Sequence, residues 1–336
     1  MVGIFLGVVC VTPFVLTYLL VIRWADRFEP EPWWLVIAAF VWGAVFATMG
    51  GGFSSSLAES VVSKVVHDKD AMEAVGATVF APVFEETFKG LGVALIALAS
   101  ALGLRELDGP LDGAIYGGVV GLGFTLTEDI LYVANQYQTS GIAGFIGLLF
   151  LRTVLLGLSH CTFTACTGLG FGIAAESKRL STKVLAPIIG FGCAMAMHAM
   201  HNFLPTLLGG IGLVMMLIIS WIIDLLFFFL LAILVVRDRT TVVRELFGEV
   251  GTLLHPLELR LVSSYFALAG RNLSVLFANG WGAFHERRDK QVKLVELAFL
   301  KSRRRRGETG PDIDRKEHEL RRDIHLASQR GIFLGR

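Results

Sequence analysis

Apolar positions in this chain do not alternate with polar ones at the spacing of a soluble helix or strand. They come in unbroken runs of about twenty residues, the length of helix that crosses a hydrocarbon core about 30 Å thick. Seven such runs are predicted to span a membrane, at 2–22, 33–51, 76–102, 110–134, 142–175, 184–205 and 209–236. The expected fold class is therefore all-α, a polytopic membrane helix bundle over residues 1–236, followed by a helical tail over 237–336. The first run, GIFLGVVCVTPFVLTYLLVI, has no Lys or Arg before it and no small-residue cleavage site, so it is expected to stay as an anchor rather than leave as a secretory signal. Between the second and third runs, GGFSSSLAESVVSKVVHDKDAMEA is too polar to cross and is expected at the surface, as a short amphipathic helix. The fifth run, 142–175, is too long for one straight perpendicular span. It is predicted either to tilt strongly or to break near Arg152 or Gly157, which membrane-depth backbone tolerates where it lines a cavity.

Composition agrees with the runs, since 54% of the 336 residues are hydrophobic. Charge then orients the bundle, because short cytoplasmic loops collect Lys and Arg. With the N-terminus outside, Arg23, Arg27, Arg105, Lys178, Arg179, Lys183 and the whole tail fall on the inner side, and the outer loops keep only Lys64 and Lys69. The expected location is the plasma membrane, multi-pass, with the tail cytoplasmic. The formal net charge of +1 conceals a split: 20 of the 30 basic residues and 13 of the 29 acidic ones lie beyond residue 236. The stretch LELRLVSSYFALAGRNLSVLF carries apolar residues at helical spacing interrupted by Arg260 and Arg271, which reads as an amphipathic helix and not as an eighth span. KSRRRRG follows further on, and this basic run is expected to be a solvated cytoplasmic segment attracted to anionic lipid. No nucleic-acid recognition motif accompanies this charge, so no nucleic-acid partner is expected. Cys10, Cys161, Cys166 and Cys193 sit in apolar runs without CxxC spacing and read as small buried hydrophobes; Cys161, beside His160, is the one with a second reading as a nucleophile.

Ionisable residues at membrane depth change the picture most. The third run holds Glu85, Glu86 and Lys89; the fourth, Glu128 and Asp129; the fifth, Arg152 and His160; the sixth, His198, His201 and Asn202. A charged side chain facing lipid costs about 2.5 to 3.5 kcal/mol on insertion scales, so these residues are expected to converge inward. Depth supports this. Glu85 and Glu86 lie about nine residues inside the outer end of their run, and Glu128 and His198 about seven, which at 1.5 Å per residue puts three helices at one level in the outer half of the membrane. Glu85 and Lys89 are four apart, Glu86 and Lys89 three, so Lys89 can hold one carboxylate ionised while the other acts as a general base on water. Glycines at 117, 118, 121 and 123, and at 168, 170 and 172, would let helices approach closely around such a site. Asp224, in ISWIIDLLFFF, is a further membrane carboxylate that either pairs with Arg152 or marks a separate function. Asp129, Arg152 and His201 taken singly read as structural hydrogen-bonding residues.

The segments EETFK, GLGFTLTED, HCTFTACTG and HAMHN resemble, in order and in span placement, the motif series of the PrsW family of intramembrane proteases. That series runs EExxK, a Gly-rich FxxxE, a His followed by Thr and Gly, and HxxxN. The resemblance covers about residues 30–236 and extends to a wider superfamily that includes CAAX-processing endopeptidases and bacteriocin-immunity proteins. It implies an intramembrane endopeptidase whose substrate is a single-pass, membrane-anchored protein such as an anti-sigma factor. It also implies a site built from Glu85, Glu86, Glu128, His160, His198 and Asn202, with Lys89 in support. One departure is Asp129, where Asn is the more usual residue after the motif glutamate.

Two mechanisms stay open at this point. In one, Zn²⁺ held by Glu86, Glu128, His160 and His198 lowers the pKa of a bound water and another glutamate takes its proton. In the other, Glu85 or Glu86 alone activates water, and His198 with Asn202 donates to the oxyanion. HExxH is absent, and the reading leans to the second. A non-catalytic relative acting as an immunity or scaffolding protein is the main rival, against which all the acidic and imidazole positions are present. A proton-coupled transporter is the other, but no inverted repeat or matched pair of broken helices is visible.

Overall fold

The computed structural model describes residues 1–28 and 30–335, apart from the side chain of Tyr265. Among these residues five continuous helices are long and apolar enough to cross a membrane. They are Val2–Ala25 (α1), Trp33–Val62 (α2), Lys69–Leu104 (α3), Pro110–Glu176 and Leu180–Phe247 (α6). The fourth is interrupted twice. Its first part is Pro110–Leu149 (α4), then comes a π-helical stretch Phe150–Leu155, and the last part is Ser159–Glu176 (α5). Inside α4 and α6, Gly141 (φ +64°) and Gly209 (φ +57°) adopt left-handed backbone, which costs a residue without Cβ nothing and so interrupts the helix there. Gly141 falls between the runs 110–134 and 142–175, and Gly209 opens the run 209–236 just after 184–205. Strands of a named sheet are absent from the described residues, so the molecule is an all-α helical membrane bundle.

The polar stretch after the second run does not end the helix. α2 continues through it to Val62, because a helix satisfies its backbone internally and need not stop where apolar composition stops. α3 starts at Lys69, where Asp68 Oδ1 accepts the N–H groups of Asp70 at 3.0 Å and Ala71 at 3.2 Å, a standard N-cap.

By contacts the chain divides into two units, one of Met1–Asp26 with Glu31–Ala232, the other of Arg27–Pro30 with Ile233–Arg336. In the first, α4 is the central helix: from Pro110 to Thr125 every residue is buried. Small residues make this possible. A Cβ on Gly113, Gly117 or Gly121 would collide with the backbone carbonyls of Gly168, Thr164 and His160 on α5, and one on Gly123 with that of Phe40 on α2. These glycines, four apart on one face, bring α5 against α4 backbone to backbone.

The second unit is a folded helical body, in keeping with the helical tail expected over 237–336. The helices Pro256–Val262 (α7), Tyr265–Arg305 (α8) and Pro311–Gln329 (α9) enclose a core of Leu246, Leu254, Leu294, Leu297, Ile324 and others at near-zero exposure. Much of its charge is spent internally. Lys290 donates to Glu258 at 2.6 Å, Arg321 to Glu249 at 2.7 and 2.8 Å, and Arg305 to Glu245 at 3.0 Å.

Candidate functional site

α3, α4, α5 and α6 converge on a cavity of about 230 Å³, lined by Glu85, Glu128, Tyr132, Arg152, His160, His198, His201 and Asn202 together with small residues of α3. Five of the six expected catalytic positions therefore face one space, and the sixth, Glu86, lies directly behind it.

The two adjacent glutamates differ sharply. The Glu86 side chain is fully buried; its Oε1 accepts from Lys89 Nζ at 2.8 Å and faces His198 Nδ1 at 2.9 Å, while its Oε2 accepts from Thr164 Oγ1 at 3.2 Å. The Glu85 side chain is 13% exposed and faces the cavity, 3.7 Å from Lys89 Nζ and 3.8 Å from His198 Nε2, and its Oε2 makes no hydrogen bond. Successive residues on a helix point about 100° apart, so one carboxylate looks into the cavity and the other into the protein.

Lys89 links the elements. It is wholly buried, donates to Glu86, lies 3.1 Å from His160 Nδ1, and sits 3.6 Å above the ring of Phe124 on α4, a cation–π contact. An ammonium has only donors, so His160 Nδ1 accepts and its Nε2 carries the hydrogen given to Glu128 Oε2 at 2.8 Å. Glu128 also receives Arg152 Nη2 at 2.7 Å, and the same guanidinium reaches Asp129 Oδ1 at 3.0 Å and lies over Tyr132 at 4.0 Å. His198 stacks on Phe163, ring centroids 5.6 Å apart, and stands 5.0 Å from the His160 ring. Asn202 gives one amide hydrogen to the Ala77 carbonyl at 2.9 Å, and His201 meets Ser220 Oγ at 3.1 Å.

The long fifth run breaks, at Leu156–Leu158, and does not tilt as one rod. The break makes His160 the second residue of α5, and the glycine seam presses this end of α5 onto α4. Asp224 does not pair with Arg152. It accepts from Thr162 Oγ1 at 2.6 Å, whereas Arg152 is shared by Glu128 and Asp129. Cys161 is fully buried and is not among the residues lining the cavity. Thr164 and Phe124, unassigned by sequence, complete the setting of Glu86 and Lys89; their spacing, four residues from His160 and from Glu128, was the available signal.

A second, wider cavity of about 610 Å³ adjoins the first through Ala77, Ala81 and Tyr132, and carries Glu59 and Glu73 on its walls.

A curated relative, Protease PrsW of Oceanobacillus iheyensis, is 26% identical over 197 residues, covering 58% of this chain and 82% of the relative. No solved structure matches the chain. The family model described as PrsW family intramembrane metalloprotease matches residues 31–236, the whole stretch that supplies α2 to α6 and every residue of the cavity. The chain belongs to that family, and it is a peptide hydrolase of the membrane.

Proposed function

We propose that this enzyme cleaves a single-pass, membrane-anchored protein of the anti-sigma-factor kind, at a bond near the outer face of the plasma membrane, with a water that Glu85 deprotonates. The observation that carries this is the difference between the two glutamates. Glu86 is saturated by Lys89, His198 and Thr164, while Glu85 lines the cavity with a side chain 13% exposed, and its Oε2, 3.7 and 3.8 Å from two nitrogens, is bonded to neither.

In this reading Glu85 takes a proton as the water oxygen bonds to the scissile carbonyl carbon, and returns it to the leaving amine as the C–N bond breaks. Glu86 accepts the Nδ1 hydrogen of His198 and turns its Nε2 toward the cavity. The second amide hydrogen of Asn202 donates to the tetrahedral oxyanion, beside which the His198 ring lies. His160 and Glu128 hold Lys89 and Arg152 in register and exclude bulk water.

The family description implies a metal. Glu86, His160 and His198 offer donor atoms that all lie within 4.8 Å of one another, with Glu128 bonded to His160, and a carboxylate with two imidazoles fits zinc by type. These residues would hold the ion, which when bound supplies a water of lowered pKa and a Lewis acid for the carbonyl. Lys89 bonds to two of those residues, at Glu86 Oε1 and His160 Nδ1, so an ion and the ammonium compete for them, and the chain's own cation keeps the three side chains together without one.

The wider cavity is the approach for an extended substrate segment, since it meets the first at Ala77, Ala81 and Tyr132. An N-terminus outside and a cytoplasmic tail follow from the distribution of Lys and Arg. The exposed guanidinium groups of the tail, Arg304, Arg315 and Arg322 among them, would meet anionic lipid.

The test is cleavage of a panel of tagged single-pass membrane proteins in cells making equal amounts of wild type or Glu85→Gln. A fragment made by wild type and not by Glu85→Gln is expected; a fragment made equally by both would overturn the role given to Glu85.

A further inference from the structure

The break at Leu156–Leu158 raises an accounting problem that the site residues do not solve. Carbonyls at the end of the π-helical stretch lose their helical partners, and an unsatisfied carbonyl in the bilayer costs several kcal/mol. Side chains from two other helices take them up. Tyr18 Oη on α1 donates to the Thr153 carbonyl at 3.0 Å and to that of Val154 at 3.3 Å, and Trp221 Nε1 on α6 donates to the Leu155 carbonyl at 2.8 Å. One turn along α6 from Trp221, Asp224 accepts the Thr162 hydroxyl at 2.6 Å, with both side chains buried. Ser220, beside Trp221, meets His201. None of these α6 residues lines the cavity, and none belongs to the four motifs. All three grip the break, the first turn of α5 or a cavity histidine.

We propose that Trp221 and Asp224 are positioning residues: together they clamp the broken helix from α6 and fix where the first turn of α5 presents His160 to Lys89 and Glu128. His160 lies between the two clamped points, five residues after Leu155 and two before Thr162, so a slip at either end moves the ring directly. The 2.8 Å bond to Glu128 and the 3.1 Å contact with Lys89 leave no slack for such a slip. Misplacement of a positioned group by about 1 Å costs on the order of 100-fold in rate. This inference rests on His160 belonging to the active site, and the controls separate the two ideas.

The experiment is steady-state kinetics of the purified full chain on a single-pass reporter that the wild type cleaves. The variants are Thr162→Val, Thr162→Ser, Asp224→Asn, the Thr162→Val/Asp224→Asn double variant and Trp221→Phe, with Glu85→Gln as reference. Trp221→Phe removes the Nε1 donor and keeps an aromatic, though smaller, side chain. Expected is a fall in kcat of roughly ten- to 100-fold for Thr162→Val and Trp221→Phe with KM unchanged, near-wild-type kcat for Thr162→Ser, and a double variant no slower than the slower single one. Wild-type kcat in both Thr162→Val and Trp221→Phe overturns the clamp. So does a loss that Thr162→Ser shares, because then bulk at that position and not the hydroxyl matters. Should Thr162→Val fail to fold, Trp221→Phe decides alone. If Glu85→Gln remains active, the reading of the site itself fails, whatever the clamp variants do.

Discussion

Glu85→Gln and Glu86→Gln alter neighbouring residues by the same atoms, yet the geometry demands opposite consequences. At Glu86 the carboxylate is the partner of a wholly buried ammonium at 2.8 Å and also receives His198 and Thr164. A neutral amide leaves Lys89 with His160 Nδ1 and the Phe124 ring, and with Glu85 Oε2 only at 3.7 Å. Removing one partner of a buried ion pair costs about 3 to 5 kcal/mol. Glu85 makes no such close pair, its Oε2 lying 3.7 Å from Lys89, so Glu85→Gln should cost less stability than Glu86→Gln while removing a general base worth about 100- to 10,000-fold in kcat. The assay is thermal unfolding of the purified chain in detergent, read beside kcat on a cleaved single-pass reporter. A dead Glu85→Gln that unfolds above Glu86→Gln is expected. The reasoning is refuted if Glu86→Gln unfolds with wild type and is the slower of the two, for the base would then be the buried carboxylate.

Three further outcomes follow from other parts of the structure. Gly121→Ala would drive a methyl group into the His160 carbonyl and separate α4 from α5, so it should destabilise by about 1 to 3 kcal/mol and lower kcat; Gly147→Ala, with nothing within 4 Å, should do neither in the same unfolding and kinetic assays. Chelation should stop cleavage of the reporter and added zinc should restore it, because Glu86, His160 and His198 bring donor atoms within 4.8 Å of one another; cleavage that survives chelation would leave Lys89 as the cation that organises Glu86 and His160. In the second unit, burial would raise the Glu249 carboxyl, but hydrogen bonds from Arg321 and Lys301 outweigh it and hold the group below its ordinary value. A depressed carboxylate stabilises fully above its unfolded value of about 4.3 and loses that contribution as pH falls through the lower folded value. Hydrogen-exchange protection of α7 to α9 in the full chain, taken relative to the intrinsic rate at each pH, should therefore fall below about pH 4.3, less steeply in Glu249→Gln.

Much of the site was legible because lipid makes polarity informative. In a soluble chain Glu85, Glu86, Glu128, His160 and His198 would be five polar residues among many; in apolar runs each is a costly exception that has to find the others. The i, i+3 and i, i+4 relations to Lys89 were legible for the same reason, being fixed by helix geometry within one run. Which glutamate faces the cavity was not, since it depends on the rotation of α3 about its axis, set by contacts such as the Trp42 Nε1 bond to the Phe88 carbonyl at 2.8 Å. The length of the fifth run left two alternatives, a tilt or a break near Arg152 or Gly157, and the break at Leu156–Leu158 is the second; hydropathy alone did not choose between them, since the residues around the break are as apolar as those in the helices beside it. The packing inside the tail was not legible for a related reason: a count of charges does not tell which are paired, and Glu245, Glu249 and Glu258 each neutralise a basic residue far along the chain.

The partners of the break show what hydropathy omits. A run of apolar side chains states that a segment belongs in lipid, but the strongest demand in lipid comes from the backbone, whose carbonyls are the same in every residue. When a helix stops at membrane depth, donors have to arrive from elsewhere, and the residues able to bring a hydrogen while staying compatible with lipid are few: Tyr and Trp, with an apolar body and one polar atom, lead among them. Tyr18 and Trp221 each read alone as an aromatic of an ordinary span. Set against the carbonyls of Thr153, Val154 and Leu155, they become the condition for a break at that point. The same logic reassigns Asp224, which needed a donor at membrane depth and found it in Thr162, one side chain of the turn that carries His160, and not in Arg152, whose guanidinium Glu128 and Asp129 already occupy.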